Sequence, residues 1–277
     1  MYPAAAASNA PDTDQLPPYL LFRQAVAHAQ LAAWLPRGRH TIVDVSGPQG
    51  PGAELAALAG HTVLRVTDGS AAIRGPASRV PAIRAAAIRA AAASGARPAS
   101  GTGKPGKIVP LIAEPSRLSF LRDECADAVI AEDGALSAQL AAEAMVAEIA
   151  RVLRPGGRVL ACVDSLVLGM SVLAGQQNWA HLVDLPNAEV VLVPWPDGSI
   201  TRCYGPDQAR ELFSGAGLTV RSVRPRTMLC EEVVTHLLQR APRSLPRLVR
   251  AELAAQPDES MGTQLLISAV KRRPANR

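Results

Sequence analysis

The chain has 277 residues, 48% hydrophobic and only 3% aromatic, with four cysteines and a formal net charge of +5. That length suffices for one large domain or two small ones, and the scarcity of aromatics leaves Ala, Val and Leu to fill the core. Cys125, Cys162, Cys203 and Cys230 form no C-x-x-C pair and the five histidines no ligand spacing, which argues against a metal site or a redox dithiol and suits a reducing, cytoplasmic compartment.

Residues 1–40 read as a tail followed by one helix. Met1 to Pro18 is rich in Ala, Pro and Asp and lacks the basic start and apolar centre of a signal peptide. No apolar run reaches the length of a membrane span. Leu20, Ala27, Leu31 and Trp34 recur at helical spacing, and Pro36 ends that helix. Thr41 to Val45 is a short buried strand. A Gly/Pro loop leads to a helix over Ala53 to Ala59, ended by Gly60, and Thr62 to Val66 is the second strand. These pieces make one βαβ unit.

Residues 70–106 form an insertion. Pro81 leads into an Ala-rich helix over Ala82 to Ala93, and Ser94 to Gly106 is rich in Gly, Pro and Ser, the composition of a flexible linker. Between Ser70 and Ala113 lie seven basic residues and no acidic one, leaving 22 basic against 24 acidic residues elsewhere. Arg74, Arg79, Arg84 and Arg89 recur every five residues, so they circle a helix rather than line one face. No aromatics for base stacking are interleaved with them. The positive charge therefore belongs to one solvated segment, and a nucleic-acid partner is not expected.

Ile108 to Ile112 and Ala126 to Ala131 are the third and fourth strands. A helix is expected from Ser137 to Leu153. Pro155 stops it, Gly156-Gly157 supply the positive φ angles of a turn, and Arg158 to Val163 is the fifth strand. Glu189 to Pro194 and Ile200 to Tyr204 flank the turn residues Trp195 to Ser199 and read as a hairpin or a strand pair. A helix over Asp207 to Ser214, a sixth strand over Leu218 to Val223, helices near Glu231–Gln239 and Leu245–Ala255, and a last strand over Thr263 to Val270 follow. Alternating strands and helices call for a doubly wound, mostly parallel α/β sheet with helices on both faces.

The run from Glu148 to Leu160, containing Arg151-Val152-Leu153-Arg154-Pro155-Gly156-Gly157-Arg158-Val159-Leu160, resembles the junction into the fifth strand of class I S-adenosylmethionine (SAM) dependent methyltransferases. Cys125 to Ile130 is similar to that family's S-F-D-x-V-x, with Asp127 in a structural place. Glu114 to Phe120 is similar to its D-A-x-x-L-P-F. The resemblance covers nearly all of residues 41–272 as one domain, followed by a basic tail at 273–277, and the Arg-, Ala- and Pro-rich composition looks actinobacterial. It implies a Rossmann-like seven-stranded sheet, mostly parallel with an antiparallel last strand, binding SAM at the carboxyl ends of the strands.

On that resemblance, Asp44, Ser46, Gly47 and Gly50 form the cofactor loop, Thr67 or Asp68 meets the ribose, Glu114 with Pro115 meets the adenine, and Glu132 lies beside the cofactor. The loop departs from D-x-G-x-G-x-G, since Ser46 and Pro48 stand at two of its glycine positions, and the second strand's acid comes one residue late, at Asp68. With Pro48 and Pro51 removing two N–H donors, the loop suits SAM better than a dinucleotide, whose pyrophosphate needs amides. Glu132, Asp133 and His181 are the candidate catalytic groups, and Asp164-Ser165 end the fifth strand. Such carboxylates orient a cofactor, bind an amine, take a proton or cap the next helix. The implied activity is methyl transfer to a small-molecule acceptor. The other reading is a methyltransferase-like binding or regulatory domain without catalysis. A base-modifying enzyme is disfavoured because Ala131-Glu132-Asp133-Gly134 is unlike the N-P-P-Y signature.

Overall fold

A computed structural model of the chain describes residues 17–47, 50, 52–68, 105–185, 191–195, 197–255 and 261–273. The Ala-rich helix expected at 82–93 lies outside these residues, as does the linker expected at 94–106 except for Pro105 and Gly106. Gly106 belongs to the fold: its N–H donates to the Ala57 carbonyl, and a Cβ there would lie 1.8 Å from the His61 carbonyl oxygen.

The elements in chain order are α1 (Pro18–Trp34), β1 (Thr41–Asp44), α2 (Gly52–Leu58), β2 (Thr62–Thr67), β3 (Lys107–Ile112), β4 (Ala126–Ala131), α3 (Ala142–Val152), β5 (Leu153–Asp164), α4 (Leu166–Gly175), α5 (Trp179–Asp184), β6 (Val191–Pro194), β7 (Ile200–Cys203), α6 (Pro206–Gly215), β8 (Leu218–Arg226), α7 (Glu231–Arg240), α8 (Leu245–Ala254) and β9 (Gln264–Lys271). Seven strands form one sheet in the order β3-β2-β1-β4-β5-β9-β8. β3 through β5 run parallel, and β9, last in the chain, lies antiparallel between β5 and β8. This is the Rossmann-like sheet expected from the sequence. β6 and β7 pair antiparallel as a separate two-stranded sheet, the expected hairpin. Among the described residues no helix is long and apolar enough to cross a membrane.

The central strands are apolar on both sides because both faces are covered. Val43, Val129, Val159 and Ile267 pack under Met145, Ile149 and Val152 of α3 and Phe213 of α6. Ile42, Ala128, Ile130, Leu160 and Leu266 pack under Leu31 and Leu35 at the end of α1 and Ala53 and Ala56 of α2. The other turns of α1, through Phe22, Ala25, Val26 and Ala29, meet Val234 and Leu238 of α7 and Leu245 and Val249 of α8.

Two local expectations need correction. The helix before the fifth strand begins at Ala142, not Ser137, because Ser137 is committed elsewhere. Its Oγ accepts the Asp164 N–H at 2.8 Å and its carbonyl accepts the Arg202 N–H at 2.8 Å. At the Pro155-Gly156-Gly157 turn only Gly156 has a positive φ, +84°. Gly157 serves close approach instead: a Cβ there would meet the Arg154 carbonyl at 2.8 Å and the Asp127 carbonyl at 3.2 Å.

Candidate functional site

In an open α/β sheet the crevice lies beyond the carboxyl ends of the strands, where the strand order reverses. Here that point falls between β1 and β4. Asp44 ends β1 and is buried. Its Oδ1 accepts the Ser46 N–H at 3.0 Å, while Oδ2 has no hydrogen-bond partner among the described residues. Burial pushes its carboxyl above the usual aspartate range, against the pull of the Ser46 hydrogen bonds.

The loop after Asp44 is closed onto the end of β4. Ser46 Oγ accepts the Glu132 N–H at 3.0 Å. The Gly47 N–H donates to the Glu132 carbonyl at 3.1 Å, and the Gly50 N–H to the Gly47 carbonyl at 3.0 Å. A Cβ on Gly47 would lie 2.6 Å from the Asp133 carbonyl oxygen. A Cβ on Gly50 would lie 2.6 Å from Ser46 Cβ, so the space kept free at Gly50 is first needed by the loop itself. Pro48, Gln49 and Pro51 lie outside the described residues.

The next two strands bring the other predicted acids to the same edge. Thr67 ends β2, half-buried, and pairs with Ile112 without a register shift, so no bulge precedes Asp68. Asp68 follows at the surface. Beyond β3, Glu114 is exposed and accepts the Ser116 hydroxyl at 2.6 Å, with Pro115 half-buried beside it. Leu118, fully buried, anchors this turn in the core. Asp44, Asp68 and Glu114 thus stand at the carboxyl ends of three neighbouring parallel strands, which are spaced about 4.8 Å apart as in any sheet.

Glu132 behaves differently from its expected part. Its side chain is 1% exposed and fully engaged by Arg226, the last residue of β8, through Nη1 to Oε2 at 2.6 Å and Nη2 to Oε1 at 3.0 Å. Arg226 Nε–H also donates to Gln30 Oε1 on α1 at 2.6 Å. Burial opposes the guanidinium charge, but Cys162 and Glu132 outweigh it and hold the group charged. Of these two, Glu132 is the effective anion, because burial pushes the Cys162 thiol up to about 12 and leaves it neutral near pH 7. The Glu132 carboxylate is thus engaged within the protein, both oxygens accepting from Arg226. No local sequence signal pairs Arg226 with it, since 94 residues separate them.

Asp133, next in the chain, is exposed with φ +58°, a backbone state rare outside glycine and most tolerated by Asn and Asp. Asp164 ends β5, half-buried, and Gly134 is close enough that a Cβ there would lie 3.7 Å from Asp164 Oδ2. Burial raises the Asp164 carboxyl, tempered by the Gln264 amide and by Arg23 of α1. Ser165 caps α4, accepting the Leu168 N–H, and donates its hydroxyl to the Gly262 carbonyl at 2.6 Å. His181 lies exposed on α5, its Nδ1 2.8 Å from Asn178 Oδ1 within the same segment.

Three aromatics on α1 act in packing. Phe22 is buried and Tyr19 packs with it against α7 and α8, while Trp34 donates to Ser268 Oγ at 3.2 Å with Arg158 over its ring. At the opposite, amino-terminal edge, Asp127 accepts the Thr41 N–H at 2.9 Å and pairs with Arg154, a structural tie between β1, β4 and β5.

No protein-family model matches the chain, and no curated protein is similar to it in sequence. Solved structures are similar in fold. A SAM-dependent methyltransferase from Methanosarcina mazei aligns with 87% of this chain and 96% of its own at a TM-score of 0.52 and 17% identity. The 1,6-didemethyltoxoflavin-N1-methyltransferase of Burkholderia thailandensis, solved with 1,6-didemethyltoxoflavin and S-adenosylhomocysteine bound, aligns with 90% of this chain and 79% of its own at a TM-score of 0.50 and 16% identity. The chain therefore has the fold of class I SAM-dependent methyltransferases.

Proposed function

We propose that the protein binds SAM at the carboxyl edge of β1, β2 and β3 and transfers its methyl group to a small-molecule acceptor. The observation that carries this reading is the unpartnered, buried Oδ2 of Asp44. It sits in line with two exposed acids, Asp68 and Glu114, at the ends of the next two strands. A buried carboxylate oxygen without a donor is costly unless a ligand supplies one. The donor set fits the cofactor: its ammonium for Asp44, its ribose hydroxyls for Asp68 or Thr67, and its adenine amino group for Glu114. Bound there, SAM supplies an activated methyl for in-line displacement, so the protein's work is chiefly alignment.

On the acceptor side Asp164 is the best-equipped group. Its raised carboxyl lies beside the turn after β4, where it can take a proton from an acceptor hydroxyl or amine as the lone pair is used. Asp133 borders the same turn and can help orient the acceptor. A domain that binds the nucleoside without catalysis has one observation in its favour. Ser46 Oγ, the Gly47 amide and the Glu132 carboxylate are all spent on contacts within the protein.

Calorimetry with S-adenosylhomocysteine and a methyl-transfer assay over a panel of small acceptors test both readings. Saturable binding with turnover, in which Asp164→Asn keeps product affinity and loses about 100-fold or more in rate, supports the enzyme. Binding without turnover supports the non-catalytic domain. Absence of binding at millimolar ligand ends the cofactor assignment.

A further inference from the structure

Away from the strand ends lies a cavity of about 1050 Å³, at the upper end of small-molecule pockets. It opens between α1, the end of α8 and the β9–β8 edge of the sheet. Its floor is Leu160 of β5 with Leu266 and Ser268 of β9. On the α1 side Ala29 and Ala33, one turn apart, leave the width open, and Trp34 closes one corner by its hydrogen bond to Ser268. The far wall is Leu253 to Ala255. The lining thus joins an apolar strip, Ala29, Ala33, Leu160, Leu253 and Leu266, to polar groups at Gln30 and Ser268.

The rim has one sign of charge. Arg210, Arg221 and Arg224 line it, against Glu252 as the one acid in the described lining. Glu252 is already occupied, accepting the Met228 N–H at 2.9 Å and the Leu229 N–H at 3.3 Å. Arg210 lies 3.5 Å from the exposed Asp207. Arg221 and Arg224 are exposed and have no partner among the described residues. Arg221 is brought to the rim by a shift in the β8–β9 register between Val220 and Ser222, which leaves it as the unopposed residue of a bulge. Such bulges re-aim a side chain at a sheet edge.

We propose that this groove is a second ligand site, separate from the strand-end crevice, for a small soluble amphipathic anion: an alkyl or aryl body bearing a phosphate or carboxylate. The body lies over Leu160 and Leu266 between Ala33 and Leu253, and the anionic head meets Arg221 and Arg224, whose planar forks match such groups. A neutral apolar ligand would leave both guanidinium groups unused. The inner end of the groove includes Gln30, the residue that receives Arg226 Nε, so an occupant would touch the brace behind the strand-end crevice.

Calorimetric titration of the full chain with octyl phosphate tests the site. The expected result is saturable binding at one site per chain, with octanol far weaker. The double variant R221E/R224E should weaken binding by about tenfold or more, since charge-assisted contacts are lost and repulsions gained. A33W should abolish it by filling the groove from an exposed helix position, with a far-ultraviolet spectrum unchanged. Octanol binding as tightly as octyl phosphate, or affinity indifferent to both R221E/R224E and A33W, would overturn the proposal. So would failure to bind octyl phosphate while binding vesicles of phosphatidylglycerol, which would assign the face to a membrane.

Discussion

Replacing Arg226 by methionine removes the cation that faces a carboxylate 1% exposed. Arg226 contributes the two hydrogen bonds to Glu132 and a third to Gln30, and its own side chain is 4% exposed. Both side chains are buried, so water does not reach those donors without a local rearrangement. Breaking a buried pair from one side costs about 3–5 kcal/mol, because the partner is left charged and unsolvated. In a domain of this size each kcal/mol moves the melting temperature by about 2–4 °C, so R226M should melt roughly 6–20 °C below wild type. The double variant R226M/E132L removes both charges and fills the space with apolar volume, and such replacements are neutral or stabilising by about 1–4 kcal/mol. Urea and thermal unfolding followed by circular dichroism measure both. If R226M loses less than about 1 kcal/mol, or if the double variant is no more stable than R226M, the pair is not the isolated buried couple described above and the reasoning fails.

Asp44 makes the fold sensitive to pH through its burial. Its folded pKa lies above its unfolded one, so its ionised form opposes folding above the folded pKa, and that cost disappears as pH falls toward the ordinary 3.8. D44N should therefore raise apo stability at pH 7, flatten its pH dependence in that window and weaken SAM affinity, as melts across pH and calorimetry would register. G47A should disorder the loop and reduce both stability and cofactor affinity, since its Cβ would lie 2.6 Å from the Asp133 carbonyl oxygen. D68A and E114A should each weaken S-adenosylhomocysteine binding in calorimetry with melting temperatures near wild type, because both side chains are exposed.

The strands and the order of elements were legible because their signals are local. Thr41 to Asp44 and Ala126 to Ala131 are short apolar runs bounded by turn residues, and such runs fit strands buried on both faces. The start of α3 was not legible. Ser137 and its neighbours suit a helix by propensity, but hydrogen bonds to Asp164 and Arg202, 27 and 65 residues away, hold them in turns. The role of Gly157 was misread for a similar reason. Positive φ is the common use of a turn glycine, whereas the need here is to clear the Arg154 carbonyl at 2.8 Å and, on a neighbouring strand, the Asp127 carbonyl at 3.2 Å.

The acids at the strand ends show where sequence reasoning stops. Asp44 and Glu132 look alike in the chain: each follows an apolar strand and precedes a polar loop. Each is buried, and a buried carboxylate must find donors. Whether those donors come from the protein or from a ligand depends on what else reaches the spot. Arg226 ends β8 at the same edge as Glu132 because β9 lies antiparallel to both β5 and β8, and Gln30 of α1 accepts its Nε–H there. That donor supply closes Glu132 to other partners and ties β8, through β4, to Ser46 and Gly47. Among the described residues no such side chain arrives at Asp44, whose second oxygen is left without a donor. The same rule that occupies Glu132 within the protein therefore supports Asp44 as the proposed ligand contact. It also makes the two positions respond oppositely. Neutralising Asp44 should relieve the empty protein and weaken its ligand, whereas unpairing Glu132 by R226M should destabilise the protein whether ligand is present or not.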